Sequence, residues 1–211
     1  MKKISLLCRF VLFFLTIFFV GCASTVKIDA STKSKLDDGI AIMPAVKQAD
    51  TPYYHGPAQT WGMALGGAVG GAIVSSMASE PAKIKSYLET EKIDIGAIVL
   101  EEFKRQLNEQ ADFSGKVRDD GKYHIELSVP MYGITQKNGF SSEYKPILRV
   151  RSRMIAPDGN VVWESADYVG PLNSETPAFT YQEYFGTPGT FRNAFVSASK
   201  AVVKLLMSDL K

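Results

Sequence analysis

Two stretches, Tyr123-His-Ile-Glu-Leu-Ser-Val-Pro130 and Pro146-Ile-Leu-Arg-Val-Arg-Ser-Arg-Met-Ile-Ala156, decide the fold class of this chain. In the first, Tyr123, Ile125, Leu127 and Val129 alternate with His124, Glu126 and Ser128, the two-residue period of a half-buried strand that continues to about Ile134. Pro130 cannot donate to a ladder, so the far end of this strand is expected at an edge or a bulge. In the second, Leu148, Val150, Ser152 and Met154 point inward while Arg149, Arg151 and Arg153 point outward. The turn residues Pro157-Asp-Gly-Asn160 lead on into Val161–Ser165, which predicts a hairpin.

Outward from this hairpin, Gly39-Ile-Ala-Ile-Met-Pro44 reads as a short buried strand closed by its proline. Ser79-Glu-Pro81 has the form of a helix start, predicting a short helix to about Leu88. A longer one follows: Ile95, Ile98, Val99, Phe103, Gln106 and Leu107 recur at three- and four-residue steps, with Glu101, Lys104 and Arg105 opposite and Asp94 placed to cap it. Residues 168–190, rich in Pro, Gly and aromatic side chains and without a period, read as a long loop. From Thr190 an amphipathic helix is expected to bury Phe191, Ala194, Phe195, Ala198, Val202, Leu205 and Leu206, with Lys200, Lys204 and Lys211 toward its C-terminus complementing the dipole. This order predicts an α+β fold, a small mixed or antiparallel sheet of about four strands with two to three packed helices, plus a glycine-rich insertion.

The insertion is Trp61-Gly-Met-Ala-Leu-Gly-Gly-Ala-Val-Gly-Gly-Ala-Ile-Val-Ser-Ser-Met-Ala78, within a stretch from Thr51 to Ser79 that has no charge apart from a possible one on His55. Gly62, Gly66 and Gly70 recur every four residues, and Gly67 and Gly71 repeat the spacing one position on. On a helix these glycines would line one face and let a second helix approach closely. The pattern resembles the glycine zippers of outer-membrane lipoproteins. A membrane-inserted or oligomer-forming helix, a hairpin packed on its own domain and a solvated excursion all remain open, because glycine costs about 1 kcal/mol in a helix relative to alanine.

The 211 residues are 45% hydrophobic and 22% charged, which is globular composition. The N-terminus departs from it: Lys2, Lys3 and Arg9 precede the apolar run Phe10–Val20, a signal-peptide layout. The run is shorter than the ~20 apolar residues of a bilayer span. At its end Phe19-Val-Gly-Cys22 resembles the lipobox of bacterial lipoprotein precursors, departing from the usual pattern in having phenylalanine at position 19. The resemblance implies cleavage before Cys22, acylation of its thiol and, since Ala23 is not the aspartate of inner-membrane retention, delivery to the outer membrane facing the periplasm. Two or more acyl chains hold a protein firmly on a membrane. The expected division is a signal peptide over 1–21, a flexible tether over 22–37 and a periplasmic α/β domain over 38–211, with the zipper at about 61–78. Cleavage removes three basic and no acidic side chains, leaving 21 basic against 22 acidic, and no polyanion or nucleic-acid partner is implied. Of the two cysteines, Cys8 leaves with the signal and Cys22 is acylated, which excludes disulfides and thiolate chemistry.

In their order, Gly39–Pro44, Ile98-Val-Leu-Glu-Glu-Phe-Lys-Arg-Gln-Leu107 and the hairpin ending Pro157-Asp-Gly-Asn-Val-Val-Trp-Glu164 resemble the periplasmic α/β lipoprotein domains. That group includes the activators of peptidoglycan synthases, the N-terminal domain of the Tol-system propeller protein and the curli-secretion lipoprotein. The resemblance covers about residues 38–210 and implies binding rather than catalysis. The residues themselves suggest no enzyme. His124, Glu126 and Ser128 share a strand face, which is first of all a solvated face, and only His55 and His124 could shuttle protons near neutral pH. No metal or cofactor site is expected. Arg149, Arg151 and Arg153 form a stripe that either pairs with Glu126 and neighbouring acids or meets an anionic partner. Phe179, Tyr181, Tyr184 and Phe185 either pack on the core or form a contact edge. The expected function is that of a membrane-anchored, non-enzymatic accessory or assembly factor of the cell envelope, with an envelope protein as partner and homo-oligomers possible through the zipper. The alternative is a subunit of an oligomeric channel or secretion complex with residues 61–78 inserted in the membrane.

Overall fold

The computed structural model describes residues 26–57 and 79–210. Its elements follow in the order α1 (Ala30–Lys35), β1 (Ile40–Ile42), β2 (Lys47–Gln48), β3 (Tyr53–His55), α2 (Ser79–Thr90), α3 (Ile95–Glu109), β4 (Tyr123–Gln136), β5 (Glu143–Ile155), β6 (Val161–Val169), β7 (Phe179–Thr180), α4 (Tyr181–Gly186) and α5 (Thr190–Asp209). The α+β class holds, with seven strands rather than about four.

Those seven strands occupy only four columns, which explains the undercount. β1, β2 and β3 lie one after another along one side of β4, all parallel to it. β5 runs antiparallel on the other side of β4, and β6 and β7 both pair with β5. The outer columns are broken where prolines remove ladder donors: Pro44 follows β1, Pro52 precedes β3, and Pro171 and Pro177 separate β6 from β7. Pro130 meets its expectation, since the register of β4 against β5 shifts between Ser128 and Met131. The shift has a packing consequence. Before it, Tyr123, Ile125, Leu127 and Val129 are buried, and after it Tyr132 and Ile134 are, so the bulge moves the buried set from odd to even positions and keeps one face apolar.

α3 and α5 pack on each other and on one sheet face, making a two-layer domain. Phe103 and Leu107 from α3, Phe195, Val202 and Leu206 from α5, and Ile125, Leu148 and Trp163 from the sheet are fully buried between the layers. Asp94 caps α3 by accepting from the Ala97 N–H at 2.9 Å, and Gln48 accepts from the Gly96 N–H at 2.9 Å. Gln106, on the buried side of α3, donates to the Lys200 carbonyl of α5 at 3.0 Å and so ties the two helices.

Three expectations need correction. Residues 168–190 are not a continuous loop: β7 and α4 lie inside them, and Thr180 with Glu183 forms a capping box. A helix of six residues is too short to print a period. The segment expected as a tether, 22–37, is folded from Val26 onward. Val26 and Glu164 exchange backbone hydrogen bonds at 3.0 and 2.9 Å, and Ile28 and Leu36 are buried. The polar composition of that segment masked the two apolar residues that dock it. Finally, Leu205 is 37% exposed instead of buried.

Candidate functional site

The sheet face opposite α3 and α5 carries the arginine stripe, because the strand period that sends Leu148, Val150, Ser152 and Met154 inward sends Arg149, Arg151 and Arg153 outward. Arg153 donates to Glu126 on β4 at 2.5 Å, and Arg151 donates through Nε and Nη2 to Glu164 on β6. Two of the three guanidiniums are thus held by cross-strand carboxylates. The Arg153–Glu126 pair is nearly half exposed on both sides and is worth about 1 kcal/mol or less, whereas in the other pair Glu164 is buried beneath a half-exposed Arg151; both pairs fix the arginine side chains in place. Arg149 differs. It lies opposite Met131 on β4 and Tyr168 on β6, neither of which offers a carboxylate, and it has no ion pair among the described residues. Tyr168 is 59% exposed. The row Met131, Arg149, Tyr168 therefore presents a thioether, an unpaired cation and a phenol ring side by side. The arginines were found from the sequence; Tyr168 was missed, because it fell at the edge of the aperiodic stretch.

His124 and Ser128 share this face, but Glu126 between them is bonded to Arg153. Among the described residues no group of three or more His, Cys, Asp or Glu side chains is arranged to hold a metal ion, and no helix is long and apolar enough to cross a membrane. A cleft of about 580 Å³ opens between β2 and α2, lined by Gln48, Asp50, Lys85, Glu89, Lys92 and Tyr132 among others, with charges of both signs in its lining.

The aromatic residues of 179–185 close a corner of the core. Tyr184 is fully buried, and Phe179, Tyr181 and Phe185 pack against the same cluster. Phe191 stacks on Phe195 with ring centroids 5.2 Å apart and meets Tyr184 edge-on at 5.4 Å. At the rim of this corner the Tyr54 and Tyr144 hydroxyls share a hydrogen bond at 3.1 Å, and Tyr181 donates to Glu80. Burial pushes the pKa of the Glu80 carboxyl up, but hydrogen bonds from Lys83 and Tyr181 outweigh it and hold the group below its ordinary value. Burial, with the neighbouring Glu80 carboxylate, pushes the Tyr181 phenol up. Of the two alternatives for these rings, packing on the core is the one the fold adopts.

Cys22 and the glycines Gly62, Gly66, Gly67, Gly70 and Gly71 lie outside the described residues.

No family model matches the chain, and no curated protein does. Solved structures with some likeness include protein XCC0632 from Xanthomonas campestris, described under family DUF330, at 16% identity over 53% of this chain and a TM-score of 0.34. The match spans 59% of that protein's length. A PelC dodecamer from Paraburkholderia phytofirmans, a point variant of that protein, is 13% identical over 82% of this chain and 86% of its own, with a TM-score of 0.36. Lipoprotein GNA1162 from Neisseria meningitidis is 12% identical over 64% of this chain and 85% of its own, with a TM-score of 0.26. At these scores the likenesses carry no weight for partners, assembly or activity.

Proposed function

We propose that this chain is a lipid-anchored protein of the cell envelope, held at the outer membrane through Cys22 and facing the periplasm, that acts as a non-enzymatic accessory or assembly factor by binding another protein on the open face of its sheet. The observation that carries the binding reading is the row Met131, Arg149, Tyr168. Tyr and Arg are enriched in interface cores, and here an arginine without a carboxylate partner adjoins an exposed tyrosine on a rigid, hydrogen-bonded sheet. Support for the anchor is the Phe19-Val-Gly-Cys22 sequence after an apolar run. The glycine-rich segment would add self-association or bilayer contact.

Both halves are testable in cells. A photo-crosslinking amino acid at Tyr168 is expected to give a discrete adduct with an envelope protein that disappears in Arg149→Glu, while the same probe at Asp119, beyond the opposite end of β4, gives none. Absence of any adduct at Tyr168 would remove the sheet face as the binding surface. Cys22→Ala should leave an unprocessed precursor or release the domain from the membrane; normal processing and attachment of that variant would end the lipoprotein reading.

A further inference from the structure

We infer that the cleft between β2 and α2 binds a small zwitterion, an amino acid or a short peptide, holding its ammonium between Asp50 and Glu89 and its carboxylate on Lys85 and Lys92. The site is separate from the row Met131, Arg149, Tyr168 and does not depend on the protein-binding reading of that row.

The cleft, at about 580 Å³, is within the size range of small-molecule pockets. Its floor belongs to the core: Leu88 and Tyr132 are buried, and Val46 and Ile93 pack half-buried against the same cluster. Tyr132 pairs with Leu148 and shares its helix-side face, whereas Arg149, the next residue along β5, points to the opposite face.

Four charges stand on the walls: Asp50 just after β2, Lys85 and Glu89 on α2, and Lys92 in the turn that follows. None of the four side chains makes an ion pair or a hydrogen bond among the described residues. Lys85 and Glu89 are spaced to meet on the helix, but lysine ahead of glutamate is the weaker order for such a pair. Two carboxylates and two ammoniums thus line one cavity without neutralising each other, and a ligand carrying both charges would satisfy all four. The carboxylates come from opposite walls and both act on the hydroxyl in the floor. Burial raises the Tyr132 phenol above its ordinary pKa, a hydrogen bond with Gln48 lowers it, and Asp50 and Glu89 raise it again. Among the described residues no third ligating side chain joins them in a metal-binding group, so the pair suits an ammonium.

The backbone at Lys92 adds an independent observation. With φ 52°, Lys92 is the only non-glycine residue of positive φ among the described residues. It closes α2 in a Schellman motif, its N–H donating to the Glu89 carbonyl at 3.3 Å and the Ile93 N–H to the Leu88 carbonyl at 2.8 Å. Glycine is the usual residue there, because a Cβ strains the left-handed conformation. Here the position carries a lysine instead, and its side chain lines the cleft. A side chain kept where the backbone disfavours one, on a cavity wall, fits a binding role.

The test uses the full chain purified in detergent and titrated at neutral pH with alanine, alanylalanine, ethanolamine and acetate, followed by saturation-transfer difference NMR. At least one of the two zwitterions is expected to bind about tenfold more tightly than either single ion, the worth of one charge-assisted hydrogen bond. Preference for alanine identifies a free amino acid as the ligand, and preference for alanylalanine a peptide. Glu89→Gln and Lys92→Gly should each weaken that binding about tenfold. Lys92→Gly should at the same time raise the melting midpoint by about 2–4 °C, since glycine relieves the strain. No binding of either zwitterion, binding no tighter than that of the single ions, or binding unchanged in both variants would overturn the inference. So would a lowered midpoint in Lys92→Gly, which would show that the lysine serves the fold. None of these results bears on crosslinking at Tyr168 or processing at Cys22.

Discussion

Gly133→Ala isolates what the close approach of β3 to β4 demands. Gly133 has φ 154°, and a Cβ built on it would stand 1.8 Å from the Tyr53 carbonyl oxygen and 2.6 Å from its carbon. Those are backbone atoms of β3, which pairs Tyr53 with Gly133, so no side-chain rotation relieves the collision. The strand must move away, and Tyr54 would lose its 3.1 Å hydrogen bond to Tyr144 at the rim of the aromatic corner. A suitable reference is Gly159→Ala in the β5–β6 turn, where φ is 85° but nothing lies within 4 Å of the added methyl. That change carries backbone strain alone, about 1 kcal/mol. Overpacking against a backbone adds about 1–3 kcal/mol, so Gly133→Ala is expected to cost about 2–4 kcal/mol in all. For a domain of this size each kcal/mol moves the melting midpoint by about 2–4 °C. Urea denaturation of the domain expressed from Ala23 onward, followed by circular dichroism and tyrosine fluorescence, measures both variants. If Gly133→Ala costs no more than Gly159→Ala, the close approach of β3 is not what the glycine serves.

Two further outcomes follow from the aromatic corner. Phe191→Ala removes a fully buried ring from contact with Tyr184 and Phe195 and is expected to destabilise the domain by about 3–5 kcal/mol, read as a fall in urea midpoint. Glu80→Gln should flatten the acid limb of stability: a carboxyl held below its ordinary 4.5 contributes stability above that value and loses it as pH falls through the folded value, so the gap between wild type and variant should narrow on acidification below about pH 4.5. A gap that stays constant across that range would show that Glu80 does not act through its charge.

The alternation at Tyr123–Val129 and Leu148–Met154 located the two central strands, and even Pro130 announced its bulge, because each of these signals is local to the strand that carries it. The same holds for α3 and α5, whose apolar residues recur at helical spacing. What escaped was short. β2, β3 and β7 have two or three residues each and exist only because β4 and β5 supply a ladder to pair with. The capping box at Thr180 and Glu183 could have been found, since the Thr-x-x-Glu spacing is itself a helix-start signal.

The site divides in the same way. The spacing of Arg149, Arg151 and Arg153 placed three guanidiniums on one face, since side-chain direction in a strand follows from position alone. Which of them is left without a carboxylate was decided by register: Glu126 and Glu164 fall where they reach Arg153 and Arg151, while Met131 and Tyr168 fall opposite Arg149. Likewise, Ile28 and Leu36 were visible as apolar residues in a polar segment, but only the exposed edge of β6 at Glu164 gave that segment somewhere to dock. Periodicity is a property of neighbours along the chain, whereas pairing between residues more than a hundred positions apart, such as Val26 and Glu164, depends on where the packed layers bring their edges.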